Sequence, residues 1–293
     1  MRHLIPISGK DSLSAALLQT THRTELNYEF FFNDVGCELP ETYAWLDRVE
    51  QKTGWKIIRI EESLEAKIRS RNGFLPSPKA RYCTVGTKIK PTDAWIGDTP
   101  AFVYYGLRAD ENRVGYIPTE KSVITPRYPL RAAPEGLTPN GFDIQAVWAL
   151  LESQDLLPPS FWWARLYQAV CDRLQDIEWK TVFKPWQLVL LFAGRTRANC
   201  YFCFFQRRYE FLWLRETHPE LFERAKSFEK EDYSFLKDYP LNRLDDGCER
   251  DRVFKSRVKA VCGIIVDRLQ GNLFSESGDT DIALTSCGLL CGK

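Results

Sequence analysis

Apolar positions along this chain follow two periods, and the character of the sequence changes near residue 139. His3–Ile7 (HLIPI) is a short, nearly unbroken apolar run of the kind a strand buried on both faces presents. Leu13, Ala16 and Leu17 then recur at helical spacing, so a strand, a tight polar loop over Ser8–Ser12 and a helix are predicted in that order. Glu29–Asp34 (EFFFND) repeats the design: an apolar run ends in a carboxylate, and Gly36 and Pro40 lead into a helix with Tyr43, Leu46 and Val49 on one face. Strands alternating with helices argue for an α/β fold, a parallel sheet with helices on both faces.

Beyond Pro139 the helical period takes over. Phe142, Ile144, Val147, Trp148 and Leu151 share one helical face that Pro158 and Pro159 terminate. Phe161–Cys171 and Trp186–Ala193 are aromatic-rich at the same spacing, which marks buried helix packing up to about residue 195. Tyr209, Leu212 and Trp213 begin another helix, and Val258, Val261, Ile264 and Ile265 form the apolar face of a last one. Arg257, Lys259 and Arg268 are expected on the solvated face of that last helix. His218, directly before Pro219, reads as a helix cap. The expected organisation is an α/β nucleotide-binding domain over 1–138 and a mainly helical C-terminal region over 139–293 that carries a cysteine cluster.

Composition narrows the setting. Of 293 residues, 44% are hydrophobic and 27% charged, which excludes disorder. No apolar stretch approaches the roughly 20 residues a membrane span needs, and Lys10 and Asp11 arrive too early for a secretory signal, so a cytoplasmic address is expected. A net charge of +1 argues against a chain-wide polyanion surface and leaves a local basic patch as the place where DNA or RNA would be met. Nine cysteines in a reducing compartment point to metal binding, catalysis or burial, not disulfides.

The loop Ser8-Gly9-Lys10-Asp11-Ser12 carries the first candidate chemistry. A loop after a parallel strand lies at the sheet's carboxyl edge, where the amides of the next helix point out unpaired and the helix dipole favours an anion. Gly9 would allow close approach, Lys10 would add charge, and Ser8 and Ser12 would add hydroxyl donors. An ordinary N-cap by Asp11 or Ser12 is the other reading. The spacing is not that of a Walker loop. Asp34, at a strand's carboxyl end, suits a ribose hydroxyl or Mg²⁺, or else a turn. Arg81, Lys88, Lys90, Arg108 and Arg113 are expected as loop cations converging on the same edge, or as solvated charges.

Several of these stretches resemble one family in order. Ser8–Ser12 resembles the SGGxDS PP-loop of the adenine nucleotide α-hydrolases, with Ile7 and Ser8 where the family has Ser and Gly. Asp34–Thr42 resembles the D-T-G-x-x-x-P-E-T segment of the phosphoadenosine-phosphosulfate (PAPS) reductase branch, with Val35 in place of Thr. Arg81-Tyr82-Cys83-Thr84 with Lys88, Lys90 and Pro91 resembles its R-x-C-T stretch, and Gly106–Glu111 resembles its G-x-R-x-x-E. Tyr128–Arg131 contains the P-L-R that follows.

The resemblance implies an adenine nucleotide, ATP or PAPS, with Mg²⁺, bound by Ser8, Gly9, Lys10, Asp11, Ser12, Asp34, Arg81, Lys88, Arg108 and Glu111. Lys10, Asp11, Ser12, Asp34 and Cys83 are the implied catalytic set. Cys200 and Cys203, in a C-x2-C after a basic turn, and Cys287 and Cys291, near the end of the chain, would supply four thiolates for a [4Fe–4S] cluster or for zinc. In several relatives a cysteine at the position of Cys83 ligates the cluster, so the resemblance implies that Cys83 could replace Cys287 or Cys291. Cys171 and Cys262 read as core, and Cys248 as ambiguous. Three functions stand. The first is an ATP pyrophosphatase and sulfurtransferase, similar to the PAPS-reductase-like subunit of DNA phosphorothioation systems. The second is a PAPS or APS reductase with Cys287 as nucleophile, and the third a non-catalytic nucleotide-binding component of a defence or phage assembly. The implied donor of sulfur or electrons is a cysteine desulfurase or thioredoxin.

Overall fold

A computed structural model of the protein describes residues 1–118, 122–231 and 233–270. Two compact units result, one from residues 1–67 and 82–159, the other, among the described residues, from 68–81 and 160–270.

The first unit is built on a five-stranded parallel sheet in the order β3-β2-β1-β4-β5, with β1 Arg2–Pro6, β2 Tyr28–Asp34, β3 Ile57–Glu61, β4 Ala101–Tyr104 and β5 Ile124–Arg127. Side chains alternate across it. Ile5, Phe30, Phe32 and Tyr104 face one buried layer with Leu13, Trp45, Leu46 and Val147. Leu4, Phe31, Val103 and Ile124 face another with Ile96. Burial on both sides explains why the strands read as continuous apolar runs. Helices α1 (Lys10–His22), α2 (Pro40–Thr53) and α6 (Ile144–Ser153) supply the first layer; the short α3 (Leu64–Arg69) follows β3. Pro40 opens α2, and Gly54, in the left-handed region at φ 71°, closes it.

Residues 82–96 form an interrupted helix: α4 (Tyr82–Thr84), a π-helical turn over Val85–Ile89 and α5 (Lys90–Ile96). Lys90 N–H donates to the Val85 carbonyl five residues back, and the Thr87 hydroxyl donates to the Cys83 carbonyl at 2.7 Å. Pro91 gives the physical reason, since it has no N–H to offer and its ring would press on the carbonyl four residues earlier; an extra residue in the turn relieves both. Lys88 and Lys90, expected in loops, are therefore helical.

The second unit is helical in its described part, with α7 (Ala164–Arg173), α8 (Pro185–Leu191), α9 (Arg208–Thr217), α10 (Pro219–Lys226) and α11 (Gly247–Leu269). Phe192, Phe211, Trp213 and Phe222 are among its deeply buried aromatics. Gly194 packs so closely that a Cβ there would fall 1.9 Å from the Trp213 ring. His218 closes α9 and opens α10. One expectation fails: Arg257 is only 9% exposed and does not lie on a solvated face. Lys259, two residues on, is exposed as expected. Among the described residues no helix is long and apolar enough to cross a membrane.

Candidate functional site

Strand order fixes where a ligand would enter. The chain runs from β1 outward through β2 and β3, then returns to the other side of β1 to place β4 and β5. The carboxyl ends of β1 and β4 thus flank the point where the winding reverses, the place in an open α/β sheet where a crevice forms. Loop 7–9 leaves β1 there, and the loop containing Gly106–Arg113 leaves β4 beside it.

Within the first loop, Ser12 organises the backbone. Its Oγ accepts from the N–H groups of Ser8 at 2.9 Å and Gly9 at 3.1 Å and donates to the Gly9 carbonyl at 3.0 Å. The first intrahelical bond of α1 runs from Leu13 N–H to Gly9 O, so the amides of Lys10, Asp11 and Ser12 have no helical acceptor and face the carboxyl edge of the sheet. The N-cap of α1 is Gly9, without a side-chain cap bond, so the expected cap by Asp11 or Ser12 on helix amides does not form; Ser12, inside the first turn, bonds the loop's own amides instead, and the amides of that turn are left without helical acceptors. Ser12→Ala is expected to cost about 1 kcal/mol and to speed hydrogen exchange at Ser8 and Gly9, as read by thermal denaturation and exchange on the full chain.

Asp11 and Arg108 join the two loops. Arg108, its side chain 1% exposed, reaches Asp11 through Nη1 at 3.1 Å, Asp110 through Nε at 2.8 Å and Glu111 through Nη1 at 3.1 Å. The second Asp11 oxygen accepts from Lys10 Nζ at 2.8 Å. Burial works against the Asp11 charge, but Lys10 and Arg108 outweigh it and hold the carboxyl below its ordinary range. Burial likewise opposes the Arg108 charge, and its three carboxylates more than offset that, raising its pKa. Glu111 also accepts from Arg113 at 2.5 Å. Arg108 and Glu111, expected as nucleotide ligands, thus sit as parts of a buried ionic brace.

Gly106 shows how close the loops come. A Cβ on it would lie 2.4 Å from the Asp11 carbonyl carbon and 2.6 Å from Ser12 N. Farther along, Gly115 (φ 88°) passes under Tyr128, whose hydroxyl accepts from Tyr116 N at 2.9 Å.

Asp34 stands at the end of β2. Its Oδ1 accepts from Gly36 N at 2.9 Å and from the Tyr43 hydroxyl at 2.7 Å, while Oδ2 has no protein partner among the described residues. Burial, then the bond to Asp34, raises the Tyr43 pKa. Tyr43 reads in the sequence as a member of an apolar helix face; its tie to Asp34 has no local signal. Lys88 lines a cavity of about 40 Å³ with Thr92, Asp93, Tyr105 and Tyr116, room for a water or two and not for a base. Cys83 lies half-buried at the head of this helix, 3.9 Å from the Thr84 hydroxyl.

Arg81 belongs to the second unit, its guanidinium 5.5 Å over the Phe205 ring. In the same unit a tight turn carries Cys200 and Cys203, closed by Cys203 N–H on the Cys200 carbonyl at 3.0 Å. The turn is wrapped around buried donors: Arg195 Nη2 bonds Asn199 and the Cys200 carbonyl, and Gln206 Nε2 bonds the carbonyls of Cys200 at 2.9 Å and Tyr201 at 3.0 Å. Among the described residues no group of three or more His, Cys, Asp or Glu is placed to hold a metal. Cys287 and Cys291 lie outside those residues. Cys262 is buried as expected, and burial raises its thiol pKa; Cys248 is exposed.

Comparison with known families decides what this architecture is related to. Residues 2–117 match the family model of the phosphoadenosine phosphosulfate reductase domain. The match starts in β1, takes in both loops at the winding reversal and ends beyond β4, so the geometry above and the family description fall on the same residues. Together they support a PAPS-reductase-like, nucleotide-binding domain of the PP-loop superfamily, whose members are generally enzymes acting on adenine nucleotides. Neither the curated proteins nor the solved structures give a match to the chain.

Proposed function

We propose that the first unit binds ATP on the Ser8–Ser12 loop and acts as an ATP pyrophosphatase that activates an acceptor for sulfur incorporation. The observation that carries this is the position of the loop: it joins the central strand of a parallel sheet to a 13-residue helix at the winding reversal, inside the residues that match the PAPS reductase domain. The amides of the first turn of α1, the Ser8 hydroxyl and the Lys10 ammonium would take the phosphates. Asp34, anchored through Oδ1, would offer Oδ2 to a ribose hydroxyl or to Mg²⁺, a hard cation suited to carboxylate oxygen. An acceptor oxygen, of which a nucleic-acid phosphate is the class we favour, would attack the α-phosphorus. The bond to the β-phosphate oxygen breaks and pyrophosphate leaves with its electron pair. Asp11, Arg108 and Glu111 would hold the two loops in register without touching the nucleotide.

Cys200 and Cys203 would furnish two thiolates of a metal site. Soft sulfur donors on a braced turn fit [4Fe–4S] or zinc. When bound, an iron–sulfur cluster would supply sulfur or electrons to the activated acceptor.

The test is run on anaerobically purified full-length protein. ATP binding is titrated first, and pyrophosphate release is then followed with Mg²⁺ and a nucleic acid present. ATP is expected to bind and pyrophosphate to appear, with Lys10→Ala slowing release roughly a hundredfold. Sulfite release from PAPS with thioredoxin, in place of pyrophosphate from ATP, would assign the reductase reaction. Failure of both nucleotides to bind would overturn the proposal.

A further inference from the structure

The second unit contains a pocket for which the chemistry above has no use. It measures about 340 Å³, with Arg207, Arg208 and Tyr209 at the start of α9 on one wall and Arg252, Ser256 and Arg257 of α11 on the other. That volume lies within the range of small-molecule sites. Four guanidinium groups line it, and they differ in how their charge is balanced. Arg252 is paired with Glu249 at 2.7 and 2.5 Å. Arg208 lies over the Tyr239 ring at 4.3 Å, and Arg207 is exposed.

Arg257 is the unusual member. It is 91% buried, it stacks 4.3 Å over the Tyr209 ring, and it donates from Nη2 to the Leu191 carbonyl at 3.0 Å. Its Nε is sealed from solvent and has no hydrogen-bond partner among the described residues, and none of their carboxylates pairs with it. Glu210, the carboxylate whose field reaches it, is already committed. Its Oε1 accepts from Thr196 N at 2.8 Å and Thr196 Oγ1 at 2.9 Å, and its Oε2 accepts from Arg207 N at 2.7 Å. Burial, with the Arg207 charge adding to it, lowers the Arg257 pKa, as expected for a cation short of a counter-ion. A buried, uncompensated guanidinium is costly unless an anion completes it.

We propose that this pocket binds the phosphate or sulfate group of a small molecule, with Arg257 as its buried anchor and Arg207 and Ser256 as exposed donors. Arginine forks match tetrahedral oxyanions in geometry as well as charge, and the dipole at the start of the ten-residue α9 adds to the attraction. The inference is independent of the nucleotide reading of the first unit.

Inorganic phosphate and sulfate are the probes, titrated calorimetrically into the full-length protein against chloride at matched ionic strength. An oligothymidylate serves as the nucleic-acid control. In Lys10→Ala protein, which takes the phosphate loop of the first unit out of the comparison, saturable binding of the two dianions is expected, weakened tenfold or more when Arg257→Gln or Arg207→Ala is added. Because Arg207 is exposed, its variant decides the matter if Arg257→Gln does not fold. Absence of saturable binding in Lys10→Ala protein, affinity unaltered when Arg207→Ala is added, or binding of oligothymidylate alone would each overturn the proposal.

Discussion

Arg108→Met is expected to destabilise the protein by about 3–5 kcal/mol at neutral pH, because it leaves Asp11, Asp110 and Glu111 facing one another without the guanidinium that all three share. Lysine should not rescue it, since a single ammonium cannot reproduce the planar fork. The pH dependence distinguishes this account from simple loss of packing. In the wild type the Asp11 pKa is depressed, so its contribution is fully present above the ordinary carboxylate value of about 3.9 and is lost as pH falls through the lower folded-state value. In the variant Lys10 alone must oppose burial, and protonation relieves the repulsion. The deficit should therefore be largest near pH 7 and shrink towards pH 4. Denaturant unfolding of both proteins across that range is the measurement. A deficit under about 1 kcal/mol, the scale of a surface ion pair, or one that does not vary with pH, would remove the brace from the account.

Gly106→Ala is expected to lose about 3 kcal/mol, the upper end of overpacking penalties, and most of the affinity for ATP. A methyl group there meets backbone atoms of Asp11 and Ser12 at 2.4–2.6 Å, and no flexible side chain can give way. Relief requires the first turn of α1 to move, and that turn carries the amides proposed to hold phosphate. Gly9→Ala provides the contrast, because a Cβ there would meet nothing within 4 Å. Thermal denaturation of the two variants side by side should show a large loss in Gly106→Ala and a small change in Gly9→Ala, and ATP titration of Gly106→Ala should show the loss of affinity. Equal effects would mean that the approach of the two loops is not what shapes the site.

The alternation of strand and helix in the first unit was legible because it is local. HLIPI and EFFFND are runs short enough to be strands and apolar enough to be buried on both faces, and the segments after them carry helical periods. What escaped the sequence reading depends on partners far away in the chain. Arg108 and Asp11 are 97 residues apart, so a reading residue by residue assigns the arginine to solvent or to a ligand and cannot assign it to a carboxylate. Tyr43 counts as apolar by its ring, and only the fold brings its hydroxyl to Asp34. Arg257 has the opposite history: the helical period that buries Val258 and Val261 also carries this neighbour inward, and charge alone argued for water. Lys88 and Lys90 read as loop residues because Pro91 is a helix breaker, yet the chain accommodates it in a π-helical turn. The cysteine turn differs, since both of its expected partners, Cys287 and Cys291, fall outside the described residues.

That π-helical turn also sets the phase between its two flanks. Each residue advances a helix by about 100°, so the surplus residue within Val85–Ile89 turns Cys83 by roughly that angle relative to Thr92, compared with an uninterrupted helix. Deleting one residue there would return the segment to an uninterrupted α-helix with Cys83 and Thr92 in nearly the same relative phase. The wide turn thus takes up one residue, and Pro91 with it, while the turns on either side keep the alignment of a helix one residue shorter.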